Sequence, residues 1–157
     1  MSKRPVSSTT STPKAKTPKP STTPETDTKL AKVDLLRQVW IYILIDRETK
    51  KVIYVGQSID VANRLMQHEA NEDSGIVFYI KRKKKTFRHL MAEKVSELPH
   101  GCAAVDADRF ESYFISKYGT IYDMFHNEDA CNNNNGNYAR RVDRDATTKE
   151  LEKGYEW

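Results

Sequence analysis

The 157-residue sequence lacks any apolar run of the roughly 20 residues needed to cross a membrane. Residues 1–8 lack the apolar block of a secretory signal. Only two cysteines are present, Cys102 and Cys131, which is too few for a disulfide framework or a four-cysteine zinc site. We therefore expect reduced thiols, no membrane partner, and an intracellular, reducing location, either nuclear or in the nucleoid or cytoplasm of a host cell.

The sequence also lacks a charge excess outside its N-terminal part. The formal net charge is +4. Residues 1–30 contain six basic residues against Glu25 and Asp27, so they carry this whole excess and residues 31–157 are neutral. Attraction to a polyanion must therefore come from local basic patches or from the N-terminal segment.

Composition divides the chain into three parts. Residues 1–30 are rich in Ser, Thr, Pro and Lys and have few large apolar side chains, so we expect a disordered basic tail. This tail either holds nucleic acid loosely or only improves solubility. Residues 31–138 are expected to form one globular domain. Residues 139–157 are a charged extension, expected to form a loosely attached helix.

The start of the domain is typical of a β-hairpin. Residues 39–46 are β-branched and aromatic, residues 47–50 form a polar turn, and residues 51–56 predict a second strand that Gly56 closes. If Tyr42 lies opposite Tyr54, the turn centres on Glu48 and both phenols lie on one face of the sheet.

A helix is expected from Ile59 to about Asn71, with Ser58 as its N-cap. Arg64 and His68 are spaced i, i+4, so they project from the same side of this helix one turn apart. Its apolar stripe is expected to contain four residues, Val61, Ala62, Leu65 and Met66.

Residues 75–88 fit either a helix or a strand by pattern alone, and a strand is expected at 89–98. Six basic residues and no acidic one fall within 81–88: Lys81, Arg82, Lys83, Lys84, Lys85 and Arg88. We interpret this run as a contact to a nucleic-acid backbone. A nuclear-import signal and a plain solvated face are the alternatives.

A further helix is predicted from Asp106 or Asp108 to about Tyr118, where Gly119 ends it. On the helical wheel Glu111 lies within the apolar arc. A carboxylate that faces the interior needs a cation or hydrogen-bond donors. The sequence leaves two explanations open, which are an ion pair with an Arg or Lys from elsewhere in the chain, such as Arg64 or Arg88, and a bound metal ion.

Together these side chains suit phosphodiester hydrolysis, which needs a base to activate water, a cation for the phosphoryl group and a metal to neutralise charge. One candidate exists for each role among two phenols, a guanidinium, an imidazole and a carboxylate: Tyr42, Tyr54, Arg64, His68 and Glu111.

The same residues carry a family resemblance. The segments Trp40–Tyr42 and Tyr54–Ser58, followed by Arg64, His68 and Glu111, resemble in order the signature of the GIY-YIG nuclease family. Asn132 resembles its terminal Asn, with Asn127, Asn133 and Asn134 as rivals. The resemblance covers about residues 38–134. Trp40 replaces the first Gly of the signature and Val55 replaces an Ile, whereas every polar catalytic position is kept.

The resemblance implies a small α/β (α+β) fold, with a three-stranded antiparallel sheet flanked by helices, in which 75–85 is helical and 89–98 is the third strand. It also implies a DNA endonuclease that uses a one-metal, in-line mechanism. Tyr42 would be the general base, Arg64 would bind the scissile phosphate, and Glu111 would hold Mg²⁺ or Mn²⁺. Tyr54, His68 and Asn132 would complete the site.

The expected substrate is DNA, branched or nicked forms included, with weak sequence specificity or targeting by a protein partner. The alternative is a nucleic-acid-binding module of the same fold that does not cut. The oligomeric state is left open.

Overall fold

Two antiparallel strands form the central hairpin of the sheet. The structure is a computed structural model that describes residues 35–133 and 143–156. These residues belong to one compact unit, Val33–Trp157. The helices and strands, in chain order, are β1 (Gln38–Asp46), β2 (Val52–Ser58), α1 (Val61–Ala70), α2 (Gly75–Lys83), a 3₁₀ turn (Phe87–His89), β3 (Leu90–Lys94), β4 (Cys102–Ala103), α3 (Ala104–Tyr118) and α4 (Arg144–Lys153).

The sheet has the order β2-β1-β3, and the short strand β4 pairs with the start of β1. All the pairings are antiparallel and helices cover the sheet, so the predicted fold class is confirmed. The expected tail at 1–30 lies outside the described residues. No described helix is long and apolar enough to span a membrane.

The predicted register of the hairpin is wrong. Tyr42 pairs with Gly56, and Tyr54 pairs with Leu44. The turn closes between Asp46 and Lys51, and a bulge beside Leu44 then shifts the pairing by one more residue. Because the total shift is an even number of residues, both phenols still lie on one face, as expected.

Two apolar cores hold the sheet between helices. One core joins α3 and α4 to one face, through buried residues that include Val39, Ile41, Ile43, Val55, Phe110, Phe114, Ile115 and Leu151. The other core joins α2 to the opposite face, through Tyr42, Leu44, Ile53, Ile76, Tyr79, Leu90 and Cys131, with Val61 and Leu65 of α1 packed against it. The two tyrosines of the predicted site therefore lie on the α1/α2 face.

Helices α1 and α2 differ in how well the sequence predicted them. Asp60 rather than Ser58 caps α1, because its carboxylate accepts a hydrogen bond from the Asn63 N–H. Met66 is 67% exposed, so the expected apolar stripe is narrower than four residues. The helical interpretation of 75–85 is confirmed, since α2 spans Gly75–Lys83.

The sequence predicted only some of the bounds of the third strand and of the helix that follows it. Strand β3 ends at Lys94 rather than Leu98, where the chain turns toward β4. No aspartate caps α3, since Ala103 of β4 leads directly into it. Gly119 ends α3 with φ of 61°, as predicted, because a residue without Cβ adopts this left-handed conformation at little cost.

Helix α4 packs against α3 more closely than the expectation of a loosely attached helix. Arg109 forms an ion pair of 2.7 Å with Glu150. Tyr155 stacks edge-on against Phe110, with ring centroids 5.1 Å apart, and its hydroxyl donates to Asp106 at 2.6 Å. Residues 143–156 therefore contribute to the core on the α3 face.

Candidate active site

Two tyrosines from the central hairpin form the base of the site. Their ring centroids lie 6.1 Å apart. Gly56, opposite Tyr42, makes this possible, because a Cβ there would lie 2.7 Å from the Tyr42 hydroxyl and 2.8 Å from the Tyr54 ring. Any side chain at this position would push the two phenols apart.

The hydroxyl of Tyr42 is buried and, by donor–acceptor geometry, forms no hydrogen bond with the described residues, although the Tyr54 hydroxyl is near enough to act on its pKa. Leaving a buried polar atom unpaired costs about 1–3 kcal/mol. Burial and the neighbouring Tyr54 raise the pKa of Tyr42 well above its ordinary value, whereas the Arg64 guanidinium acts in the opposite direction. The phenol is thus neutral and is oriented without an internal partner.

A histidine on α1 lies against the second tyrosine. The His68 Nε2 atom lies 3.4 Å from the Tyr54 hydroxyl, and His68 Nδ1 lies 2.9 Å from the Ser74 hydroxyl. Burial, followed by the charge of Arg64, lowers the pKa of His68 to about 4. Burial, followed by the charge of Glu111, raises the pKa of Tyr54 to about 12. At neutral pH the pair is therefore uncharged.

The charge of Arg64 acts on each of the other four predicted side chains. This residue lies on the exposed side of α1 and donates a hydrogen bond of 3.2 Å to Gln67. Its positive charge lowers the pKa of Tyr42, Tyr54 and Glu111 and opposes protonation of His68. The structure thus brings these five predicted side chains into one electrostatic neighbourhood.

Glu111 lies on α3, which packs on the face of the sheet opposite to α1 and α2. Its carboxylate accepts a hydrogen bond of 3.2 Å from the side-chain amide of Gln57. The same amide donates to Asp108 at 2.6 Å. Burial raises the pKa of Glu111; Gln57 lowers it, Asp108 raises it and Arg64 lowers it. Gln57 and Asp108 were missed by the sequence analysis, since only the α3–β2 packing places them beside the glutamate.

The alternative of an ion pair at Glu111 is not formed within the described residues, because neither Arg64 nor Arg88 pairs with the carboxylate there. A half-buried carboxylate without a paired cation suits a divalent ion that takes its other ligands from phosphate and water. No group of three or more His, Cys, Asp or Glu side chains that could hold a metal occurs in the described part of the chain. The residues present therefore fit an ion with one protein carboxylate, not an all-protein cage.

Asn132 lies close to the site but is engaged with the backbone. Its side chain accepts hydrogen bonds from the Val55 N–H at 2.9 Å and from the Thr120 hydroxyl at 2.5 Å, and it donates to the Val55 carbonyl at 2.9 Å. This fixes β2 between Tyr54 and Gly56. Of its rivals, Asn127 bonds to the carbonyls of Gly119 and Ile121, Asn133 is exposed, and Asn134 lies outside the described residues.

The basic run divides into two groups. Lys85 is committed to Asp46 and Glu48, Lys83 to Glu128 and Asp129. Arg82 donates to two carbonyl oxygens, of Glu128 and Ala130. The remaining three, Lys81, Lys84 and Arg88, are exposed and form no ion pair with the described residues. Lys85, whose side chain is 12% exposed, is therefore already paired within the protein, and the contact of the run with nucleic acid stays a prediction.

One of three comparisons with known proteins found a match. The family model of the GIY-YIG catalytic domain matches residues 38–127, which is more than half of the chain. Neither the search of curated proteins nor the search of solved structures found a match. With the two tyrosine segments on one face of the hairpin and the matched region spanning the sheet and α3, the chain belongs to the GIY-YIG family of endonucleases.

Proposed function

We propose that this protein is a metal-dependent endonuclease that hydrolyses DNA phosphodiester bonds by an in-line mechanism. The observation that carries the proposal is the buried hydroxyl of Tyr42 beside the charge of Arg64 and the carboxylate of Glu111, which forms no ion pair with the described residues. A buried hydroxyl without an internal partner calls for a water molecule or a ligand oxygen to satisfy it, and a phosphate or its attacking water supplies one.

Tyr42 is proposed as the general base that accepts a proton from the attacking water. Its pKa is raised by burial, so the phenolate needs nearby positive charge, part of which Arg64 supplies. His68 lies 3.4 Å from Tyr54. This pair is proposed to position the attacking water or the phosphate beside Tyr42.

Arg64 is proposed to bind the scissile phosphate. A guanidinium matches the oxygens of a phosphate and stabilises the charge that develops during displacement. The Arg64 side chain is exposed, and its hydrogen bond to Gln67 leaves other N–H groups for a ligand. The proposal is supported by the position of Arg64 one turn before His68 on α1 and by the effect of its charge on both phenols.

Glu111 is proposed to hold the divalent cation, Mg²⁺ or Mn²⁺, with Gln57 fixing the orientation of its carboxylate. A cation bound there supplies charge neutralisation for the phosphate and the leaving oxygen. Asn132 has a positioning role, since it fixes the backbone between Tyr54 and Gly56.

A panel of labelled substrates tests the proposal. Purified protein is incubated with duplex, nicked, flap and four-way DNA, in Mg²⁺, in Mn²⁺ and in EDTA. We expect cleavage in either metal, none in EDTA, and a loss of at least about 100-fold in Arg64→Ala. If the wild type retains DNA but cuts no substrate with any metal, the chain is instead a binding module of the same fold.

A further inference from the structure

A second feature of the molecule is a cavity of about 550 Å³ between α2 and the segment 122–133. This volume is in the range of about 300–1,000 Å³ that is typical of small-molecule sites. We propose that this cavity binds an unpaired nucleobase of a nucleic-acid substrate, with the neighbouring phosphate on Lys81. The inference rests on the proposed function, because it names the substrate form that the nuclease prefers.

The apolar wall of the cavity is an aromatic ring that the described residues leave half-exposed. Phe78 lines the cavity and is 52% exposed, although α2 buries its neighbours Val77 and Tyr79. The π-face of a phenylalanine is a platform for any base, since stacking contributes about 1–3 kcal/mol per base and tolerates sequence differences.

The same helix adds a fixed cation beside this ring, since Phe78 and Arg82 are four residues apart on α2. The Arg82 guanidinium lies 4.3 Å from the centroid of the Tyr122 ring and donates to the carbonyls of Glu128 at 2.7 Å and Ala130 at 3.3 Å. These partners orient the guanidinium, and its charge is not neutralised by a carboxylate of the described residues. A stacked, uncompensated guanidinium is a surface on which unpaired bases stack.

Charge at the rim favours a polyanion over an apolar protein segment. Lys81 lines the cavity, is exposed, and forms no ion pair within 35–133 or 143–156. The described lining includes no acidic residue. An exposed aromatic ring with two cations on the next turn of the same helix matches a base flanked by its phosphate.

The cavity adjoins the candidate active site. Gly75 lines it and follows Ser74, whose hydroxyl bonds His68. Cys131 also lines it, belongs to the same core as Tyr54, and acts on the pKa of that phenol. A Cβ at Gly75 would overlap the Cys131 carbonyl. The glycine therefore allows the start of α2 to pack directly against the backbone of Cys131. A base held here would keep its strand beside the catalytic residues.

The test uses the full chain and a duplex in which one strand has a three-nucleotide gap. The unpaired stretch of the other strand, opposite the gap, contains 2-aminopurine, and a fully paired duplex serves for comparison. Fluorescence anisotropy and 2-aminopurine emission are measured in EDTA, so that no cleavage is needed. We expect the gapped DNA to bind about tenfold more tightly than the paired duplex and its emission to be quenched by stacking. Phe78→Ala and Lys81→Ala should lower this ratio toward one, and Phe78→Trp should restore the quenching.

Matched controls come from outside the cavity. Phe125 is an exposed phenylalanine and Lys149 an exposed lysine on α4, so Phe125→Ala and Lys149→Ala should keep both the ratio and the quenching. The inference is overturned if the wild type shows no preference for gapped DNA, or if Phe78→Ala keeps the quenching, as would follow were the cavity a dock for a protein side chain. Quenching with no cleavage on any substrate would support the cavity and reject the nuclease activity, so the two failures are distinguishable.

Discussion

The side-chain amide of Gln57 donates a hydrogen bond of 3.2 Å to the carboxylate of Glu111. This bond crosses from β2 to α3 and connects the tyrosine hairpin to the acid that we propose as the metal ligand. The same amide holds Asp108 at 2.6 Å, so one neutral group sets the position of two carboxylates. A residue that orients a ligand in this way changes metal affinity or activity by about 10–100-fold when it is lost.

Gln57→Leu and Asp108→Asn should shift the acidic limb of the cleavage pH profile in opposite directions. The Gln57 hydrogen bond lowers the pKa of Glu111, so its loss raises that pKa and moves the limb to higher pH. The Asp108 charge raises the pKa, so its removal moves the limb to lower pH. The measurement is kcat/KM against pH at one fixed, subsaturating Mg²⁺ concentration, where protons compete with the metal for Glu111, and shifts of the same sign would contradict the arrangement.

Tyr42→Phe should separate activity from stability. It removes a hydroxyl that has no partner in the described structure, so the free energy of unfolding should stay unchanged or rise by up to about 1 kcal/mol, while cleavage falls about 100-fold or more. Tyr79→Phe is the matched control. Its hydroxyl donates to the buried Asp46 at 2.5 Å, so this variant should lose about 2 kcal/mol of stability and keep its cleavage rate. Urea denaturation and plasmid cleavage measure both, and equal stability losses in the two variants would be evidence against an unpartnered hydroxyl.

His68 should titrate near pH 4 in the folded protein. An unfolded histidine has a pKa of about 6.5, so the unfolded state binds the proton more readily and protonation favours unfolding. Stability should therefore fall as the pH drops from about 6.5 toward 4, and His68→Gln should remove part of this fall. An NMR titration of the His68 ring gives the midpoint, and a value above about 6 would contradict the buried, neutral imidazole.

Within 81–88, exposed cations and cations paired with a carboxylate should contribute differently to the salt dependence of DNA binding. The double variant Lys84→Gln, Arg88→Gln should reduce the slope of log affinity against log salt by about two, since each phosphate contact contributes about one. Lys85→Gln should leave this slope unchanged and lower the Tm, because it leaves Asp46 buried without its cation. Anisotropy titrations at several salt concentrations and thermal melts test both expectations. If Lys85→Gln changed the slope and the double variant did not, Lys85 rather than Lys84 and Arg88 would be the residue that contacts phosphate, contrary to this expectation.

Local patterns predicted the parts of the fold that depend on local physics. Gly119 marked the end of α3 because a left-handed residue favours glycine. Alternation along the two strands put Tyr42 and Tyr54 on one face, because the faces depend only on parity. The register itself depended on the length of the turn and on a bulge at Ile53, and neither has a strong signal in the sequence.

Side-chain partnerships across elements could not be predicted in the same way. The contacts of Gln57 with α3 and of Asn132 with Val55 join residues far apart in the chain. The basic run showed the same limit. Its composition did not distinguish Lys85, which pairs with Asp46, from Lys84, which is exposed. Tertiary packing decides which of two like charges is free for a ligand.

The most direct test of the account is the rate of Mg²⁺-dependent DNA cleavage in wild type, Glu111→Gln and Glu152→Gln, the last being an exposed carboxylate on α4. The account predicts nicking by wild type and Glu152→Gln, with a loss of at least about 100-fold in Glu111→Gln while DNA binding in EDTA is retained. Equal cleavage by all three proteins would contradict the role of Glu111, and with it the site proposed around the Tyr42 hydroxyl.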